Sequence, residues 1–264
     1  ERRNKFSRKQ TAYVSKMPLK NIENSQVYNT ITNQLLISQS VNTFEDALKN
    51  AAGITKLWSS TGRSGDGAGY YSSRGFAVQP QLVNGVAGIT NGFINPSNVE
   101  RVEVIKGPSG TLFGSAVTSY GGLINIITKK PYNSTGGNIT LAGGSYDFTK
   151  LNVDVNIANN EKWSLRFNGG FQQDDSFQDA GFKKSVFVAP SLTYKVHNNL
   201  SLNFSYEASG NEQTNETFLF LNRYGPLAFG SIEELDYDTN LSFTNNDVTI
   251  ENITQNYRGE IAWK

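Results

Sequence analysis

From about Gly137 onward, apolar and polar residues alternate with period two. Leu151, Val153, Val155 and Ile157 are interleaved with Lys150, Asn152, Asp154 and Asn156. Trp163, Leu165, Phe167, Gly169 and Phe171 are interleaved with Ser164, Arg166, Asn168 and Gly170. Val186 to Val196 and Leu200 to Ala208 repeat the pattern, Tyr257, Ile261 and Trp263 begin another run, and Ile139 and Leu141 mark an earlier one. Period two means strands with one face unlike the other. About six strands are expected, most near the ~9–11 residues that a membrane strand needs. Their connections alternate as well. Asn159-Asn160-Glu161 and His197-Asn198-Asn199 are short, Asp174 to Lys184 is longer, and 211–253 is very long. Short turns at one end and long loops at the other suit an outer-membrane barrel. A soluble β-sandwich also alternates. Strand length and aromatic residues expected near strand ends (Tyr146, Trp163, Tyr194, Tyr206, Trp263) favour the barrel.

Upstream of Gly137 the grammar differs. Fourteen of the 25 glycines fall between Gly53 and Gly122, implying many turns. Thr43 to Asn50 predicts a helix, with Thr43 as cap, Asp46 in the first turn, Phe44, Ala47 and Leu48 on one face, and Gly53 placed to end it. Thr30 to Gln39 predicts a second helix. Asn95-Pro96 can open a helical turn, with the asparagine capping and the proline first inside. Arg101 to Ile105 reads as a half-buried strand and Leu123 to Ile127 as an inner one. The expectation is an α+β domain followed by antiparallel β-strands of a transmembrane β-barrel.

Composition narrows the chemistry. The net charge of +1 over 264 residues gives no general reason for nucleic-acid binding. Charge is nevertheless segregated. Residues 1–10 hold five bases against Glu1, 11–131 hold ten bases against six acids, and 211–253 hold eight acids against Arg223. There is no cysteine, which excludes disulfides, thiolate metal sites and cysteine nucleophiles. His197 is the sole histidine and sits in a turn-like His-Asn-Asn. No catalytic residues and no metal ligands are therefore assigned. No run of 18 apolar residues is present, so no transmembrane helix is expected, which says nothing against a barrel.

The most specific run is Asn98-Val-Glu-Arg-Val-Glu-Val-Ile-Lys-Gly-Pro-Ser-Gly-Thr-Leu-Phe-Gly114, followed by Tyr120-Gly-Gly-Leu-Ile-Asn-Ile-Ile-Thr-Lys-Lys-Pro131. It lacks the Gly-Lys-Ser/Thr ending of a phosphate loop. It closely resembles the plug signature of TonB-dependent outer-membrane receptors. Pro18 to Tyr28 resembles the early plug segment of the siderophore-receptor branch, with Ser25 in place of the usual proline. Glu45 to Ile54 resembles the plug helix, with Ala52 where proline is common. Ser73-Arg-Gly-Phe76 and Leu82-Val-Asn-Gly-Val86 match two further plug motifs, the latter with Asn84 where aspartate is frequent.

The resemblance implies a basic tail over 1–10, a plug over 11–131, and the first part of a barrel over 137–264 with a long extracellular loop at about 211–253. In the family that barrel has about 22 strands. A barrel wide enough to enclose a plug needs far more than six, so residues 1–264 alone are expected neither to close a pore nor to transport, while 11–131 keep partial plug structure. The implied function is import of a ferric siderophore, driven by TonB with ExbB/ExbD through an N-terminal TonB box. No such box is recognisable here. The implied surroundings are outer-membrane lipid, with no covalent cofactor. An importer of a glycan or cobalamin, or a passive barrel or adhesin, are the alternatives. Three outward plug loops would supply ligand contacts. These are Arg63 and Ser64 in the first, Ile89, Thr90, Asn91 and Phe93 in the second, and Phe113 in the third. Arg74, Glu100, Arg101 and Glu103 are expected in ion pairs within the plug or between plug and barrel.

Overall fold

The computed structural model describes residues 6, 11, 19–24, 26–63, 67–88, 94–107, 119–159, 162–215, 224–226, 229–235 and 238–263. The first part is built on a five-stranded sheet. In chain order its strands are β1 (Val27–Thr32), β5 (Pro80–Val83), β6 (Val86–Ala87), β7 (Val99–Lys106) and β8 (Gly122–Thr128). They lie in the order β1-β7-β8-β5-β6, antiparallel except for β5 beside β8. Helices α1 (Asn33–Ser38) and α2 (Phe44–Leu48) pack on one face of this sheet, where Ile31, Leu36, Phe44, Ala47 and Leu48 meet Val102, Val104, Ile124 and Ile126. Leu82, Ile105 and Leu123 make a smaller cluster. A separate three-stranded sheet joins β2 (Ile54–Trp58), β3 (Tyr70–Ser73) and β4 (Phe76–Val78).

Local chemistry explains these elements. Thr43 Oγ1 accepts the Asp46 amide hydrogen at 3.1 Å and starts α2 as expected. The helix stops at Leu48, however, and Gly53, at φ +71°, instead turns the chain into β2. The helix expected over 30–39 begins only at Asn33, because Thr30 to Thr32 complete the pairing of β1 with β7. Thr32 then caps α1 by accepting from the Leu35 amide. Asn95 caps the turn Pro96–Asn98 as the sequence implies. Arg74-Gly75 and Asn84-Gly85 both have positive φ at two successive residues, as tight two-residue hairpins require. Gly122, at φ +114°, admits no side chain, since a Cβ there would stand 1.9 Å from the Ile105 carbonyl oxygen.

The strand expected to be half-buried over 101–105 is covered on both sides. Glu103 is 1% exposed. It tolerates burial because Arg101 Nε donates to one carboxylate oxygen at 2.7 Å and Asn125 Nδ2 to the other at 3.0 Å. The alternation registered the charge but not the partner that β8 supplies across the sheet.

The second part is a six-stranded antiparallel meander. Its strands are β9 (Gly136–Gly143), β10 (Thr149–Asn159), β11 (Trp163–Asp175), β12 (Phe182–His197), β13 (Leu200–Thr214) and β14 (Thr249–Trp263), each beside the next. Its two faces settle the choice left open by periodicity. Leu165, Phe167, Val188, Leu192, Leu202 and Phe204 all point outward and are exposed. Lys150, Asn152, Asp154, Asn156, Ser164, Asn168 and Gln172 point inward and are buried. A sandwich buries its apolar face. This sheet buries its polar face and exposes its apolar one, which is the sidedness of a membrane-barrel wall. No helix among the described residues is long and apolar enough to cross a membrane.

β13 and β14 run further than their hydrophobic alternation, staying paired up to Thr214 opposite Thr249. Near that end, Glu212 and Glu251 face each other on the outer surface while Ile250 lies on the inner one, so the alternation is lost there. At the short-turn end Trp163 pairs with Tyr194, and His197 meets the Trp263 ring edge-on at 6.1 Å. Tyr206, expected near a strand end, lies well inside β13 against Tyr257.

Sidedness can be tested in the full-length protein. Phe167→Arg should cost the barrel about 2–4 kcal/mol, the range for a cation on the lipid face near mid-membrane. A cysteine replacing Asn203, half-buried on the inner face, should be labelled from the aqueous lumen and one at 167 should not. The reverse labelling pattern would invert the wall.

Candidate functional site

Chemistry concentrates where the first part meets the inner face of the wall. Lys129 follows β8 directly, and its ammonium lies 2.7 Å from Asp154 Oδ2 on β10. Arg166 on β11 grips the same carboxylate with two nitrogens, Nε and Nη2, each at 2.8 Å. Its Nη1 donates to the Lys130 carbonyl oxygen at 2.8 Å, and the Tyr132 ring lies 5.3 Å from the guanidinium. Asn156 continues the fastening. It accepts from the Tyr132 amide at 3.1 Å and donates to the carbonyl oxygens of Tyr132 and Ser134. The planar, two-point arginine grip fixes orientation as well as charge. Burial pulls the Lys129 ammonium below the usual lysine range, against the attraction of Asp154.

A second attachment uses the turn that Asn95 caps. Asn98 Nδ2 donates to Glu207 Oε2 at 2.6 Å, and Asn168 Nδ2 donates to the Ser97 carbonyl oxygen at 2.9 Å. Lys130 also pairs with Glu260 on β14. These contacts are polar throughout. Breaking them exposes groups that water can serve, so such an interface can part without baring an apolar core. On the side of β5 and β6 the two parts stand apart. A cavity of ≈ 520 Å³ separates Asn84, Val86 and Ala87 from Ser191, Asn203 and Asn256.

Arg63 lies at the other end of the wall, beside the long loops. Ser60 Oγ accepts from the Gly62 amide at 3.2 Å and donates to the Gly67 carbonyl oxygen at 2.9 Å, tying the loop at its base. Gly62 sits against Gln213 of β13, whose amide would be 2.9 Å from a Cβ there. Arg63 is exposed and Nη2 donates to Asn215 Oδ1 at 3.3 Å, just past the end of β13. Trp58 and Tyr70 stack nearby in sequence, with ring centroids 4.7 Å apart.

Of the expected ligand residues, Arg63 alone is among the described residues. Ser64, Ile89, Thr90, Asn91, Phe93 and Phe113 lie outside them. Arg101 and Glu103 form the internal pair already described. Arg74 makes no ion pair among the described residues, and its guanidinium lies over Gly107. Glu100 likewise makes none, and shares a cavity with Lys130, Tyr132 and Arg166. Sequence reasoning did not single out Asp154, Asn98 or Glu207. Asp154 stood in the polar row of β10, but its partners come from β8's exit and from β11, which the row cannot name. No cluster of metal-binding side chains occurs among the described residues.

Residues 20–119 match the family model for the TonB-dependent Receptor Plug Domain. The chain is 29% identical over 193 residues to the catecholate siderophore receptor Fiu of Escherichia coli K12, covering 72% of this chain and 25% of that protein. It is 28% identical over 189 residues to the ferrioxamine receptor of Yersinia enterocolitica, covering 67% and 26%. Among solved structures, the closed form of Escherichia coli Fiu is similar at a TM-score of 0.72 with 26% identity, covering 80% of this chain and 30% of that one. The Pseudomonas aeruginosa ferripyoverdine receptor, at 22% identity, shares the fold at a TM-score of 0.77 over 95% of this chain and 33% of that one. The chain spans about a quarter of the length of the curated relatives it matches.

The Asp154 junction makes a sharp expectation. Asp154→Ala would leave two buried cations without their counter-charge, which should destabilise the full-length protein by about 3–5 kcal/mol. Denaturant unfolding in detergent measures this. A loss below about 1 kcal/mol would mean that water already screens the site.

Proposed function

On the footing that this chain carries a TonB-dependent receptor plug and the first strands of its outer-membrane barrel, we propose that the whole protein imports a ferric siderophore. The plug occupies about 11–131, after a basic tail over 1–10, and the wall begins at about 137. Ligand binds from the long-loop side. Arg63 and Ser64 of the first outward loop, Ile89, Thr90, Asn91 and Phe93 of the second, and Phe113 of the third form the pocket floor. TonB, energised through ExbB/ExbD, then pulls an N-terminal TonB box by strand pairing, and the plug rearranges inside the wall. No bond of the ligand is made or broken, and no bound cofactor is needed.

The observation that carries this reading is the polar plug–wall interface. The inner row of the wall spends its polar groups on the plug, so the plug is part of the barrel's filling. The interface is nonetheless held by hydrogen bonds and ion pairs rather than interlocked apolar side chains. That combination suits a barrier which must stay shut and yet move. The naming of similar proteins as siderophore receptors supports the cargo class.

Uptake of iron-55 siderophore complexes by cells with the full-length receptor tests the proposal. Uptake should vanish when the gene or TonB is deleted. Uptake that persists without TonB would indicate a passive pore, and a receptor that binds no ferric siderophore but takes up a glycan or cobalamin would replace the cargo. Arg63→Ala and Phe113→Ala should each weaken siderophore binding by about 1–3 kcal/mol, the range for truncating an anchor residue. Unchanged affinity for both would remove them from the site.

A further inference from the structure

Lys150, on the inner face of β10, is 9% exposed, and its ammonium donates to Asn42 Oδ1 of the plug at 3.4 Å. That is one long bond for a group with three hydrogens to give. No carboxylate among the described residues lies within ion-pair distance of it, and Asp154, on the same face of the same strand, is engaged by Lys129 and Arg166. Two buried acceptors of the wall stand beside it. Gln172 on β11 is directly opposite Lys150, and Asn152 is the next inward residue along β10. The carboxamide oxygens of both have no hydrogen-bond partner. Opposed side chains start about 5 Å apart and alternate ones along a strand about 7 Å apart, spans that the four-carbon lysine stem can cover.

The free oxygen of Asn152 is the end of a chain whose direction is set at its other end. The Glu207 carboxylate on β13 can only accept, so Asn98 turns its amide nitrogen toward it, at 2.6 Å. The Asn98 oxygen then accepts from Asn168 Nδ2 at 3.2 Å, a nitrogen that the Ser97 carbonyl oxygen also requires. Asn168 offers its oxygen in turn to Asn152 Nδ2 at 3.3 Å. Asn152 is thereby left with its oxygen outward, and the group that completes the chain must be a donor. The space beyond is a cavity of ≈ 230 Å³ bounded by Asn42 and Ser97 of the plug and by Lys150 and Asn152 of β10. Gln172 is oriented in the same way, with its nitrogen toward Asp174 Oδ1 at 3.5 Å and its oxygen free. Hydrogen bonds in such a row polarise one another, so a cation at the open end would strengthen every link.

We propose that Lys150 is a two-position latch between plug and wall. With the plug seated, its ammonium holds Asn42. When the segment carrying Asn42 draws away, the ammonium turns through the cavity to Asn152 Oδ1 and Gln172 Oε1, and its charge keeps hydrogen-bond partners throughout. The same movement completes the chain from Lys150 to Glu207 and tightens the wall's hold on the turn Pro96–Asn98, which belongs to a different plug segment. Release at Asn42 is thus coupled to retention at Asn98. The inference rests on the plug-and-wall fold and not on the identity of the cargo.

Amide hydrogen exchange in the full-length receptor in detergent, read by mass spectrometry on peptides covering 94–99, tests it. Asn42→Ala removes the seated partner and frees the ammonium for the wall, so the 96–98 turn should exchange several-fold more slowly than in the unaltered protein. Asn42→Leu also lacks an acceptor, and it serves in place of alanine should that variant not fold. Asn42→Asp pins the ammonium to the plug and should give no slowing. Lys150→Met keeps the stem and removes the donor, and in that background Asn42→Ala should leave the turn unchanged. Exchange of the turn that is unaltered or faster in Asn42→Ala overturns the proposal, because loosening one plug segment would then simply loosen the next. A slowing that survives in the Lys150→Met background overturns it as well, since the ammonium would not be its cause.

Discussion

The constraint on which this structure depends is that a sheet apolar on its outer face must find partners for a polar inner one. Lipid can accept the outer face, but the inner groups are buried beneath the plug and lose water. Asp154, Asn156, Asn168 and Glu207 therefore act as docking points for plug backbone and side chains rather than as solubilising residues. The plug answers with the segments whose own hydrogen bonds are incomplete, namely the turn at Pro96–Asn98 and the exit from β8. Wall and plug each supply what the other lacks.

This division explains what was legible in the sequence. Period two depends only on neighbours along one strand, so the lipid row through Leu165, Phe167, Leu202 and Phe204 could be read directly. The capping of α2 by Thr43 and of the 96–98 turn by Asn95 is equally local. Partnership across the chain left no such trace. Asp154 and Lys129 are separated by strand order, and Glu103, expected in an ion pair and paired with Arg101, gains its second partner only because β8 brings Asn125 beside it. Thr30 to Thr32 carried a helix-like pattern that lost to pairing with β7, because tertiary hydrogen bonds outweigh a weak local preference. The motif Ser73 to Phe76 was recognisable as a unit, and the positive φ of Arg74 and Gly75 gives its physical reason.

The attachments are unevenly placed, and that unevenness bears on how a plug could move. The strongest ones gather where the chain passes from β8 into the wall, with a bidentate arginine, a buried lysine and the three contacts of Asn156. On the β5–β6 side a cavity of ≈ 520 Å³ lies between plug and wall, bridged at its rim by the half-exposed pair Lys130 and Glu260. A half-exposed ion pair contributes little stability and is easily exchanged for water, whereas a buried one holds firmly because leaving either partner alone is costly. A pull transmitted through the plug would thus meet its least resistance on the side away from the junction.

The junction also separates two requirements that would conflict if one set of residues served both. A gate needs contacts that can be broken, and a covalent linker needs a fixed place to start the barrel. Asn156 holds the backbone of Tyr132 and Ser134, and Arg166 holds that of Lys130, so the linker is clamped through its main chain independently of its side chains. Substitution along 130–134 can then proceed without moving the origin of β9, provided Asp154, Asn156 and Arg166 remain. The side-chain contacts that cross to the plug beyond the junction are hydrogen bonds, among them Asn98 to Glu207, Asn168 to the Ser97 carbonyl oxygen and to the Asn98 side chain, Lys150 to Asn42 and Arg63 to Asn215. Each is individually modest, about 1 kcal/mol for a neutral pair and up to about 3 kcal/mol where a charge takes part. A plug held by a clamped linker and a series of such bonds can shift stepwise, one contact at a time, while the wall that surrounds it keeps its register.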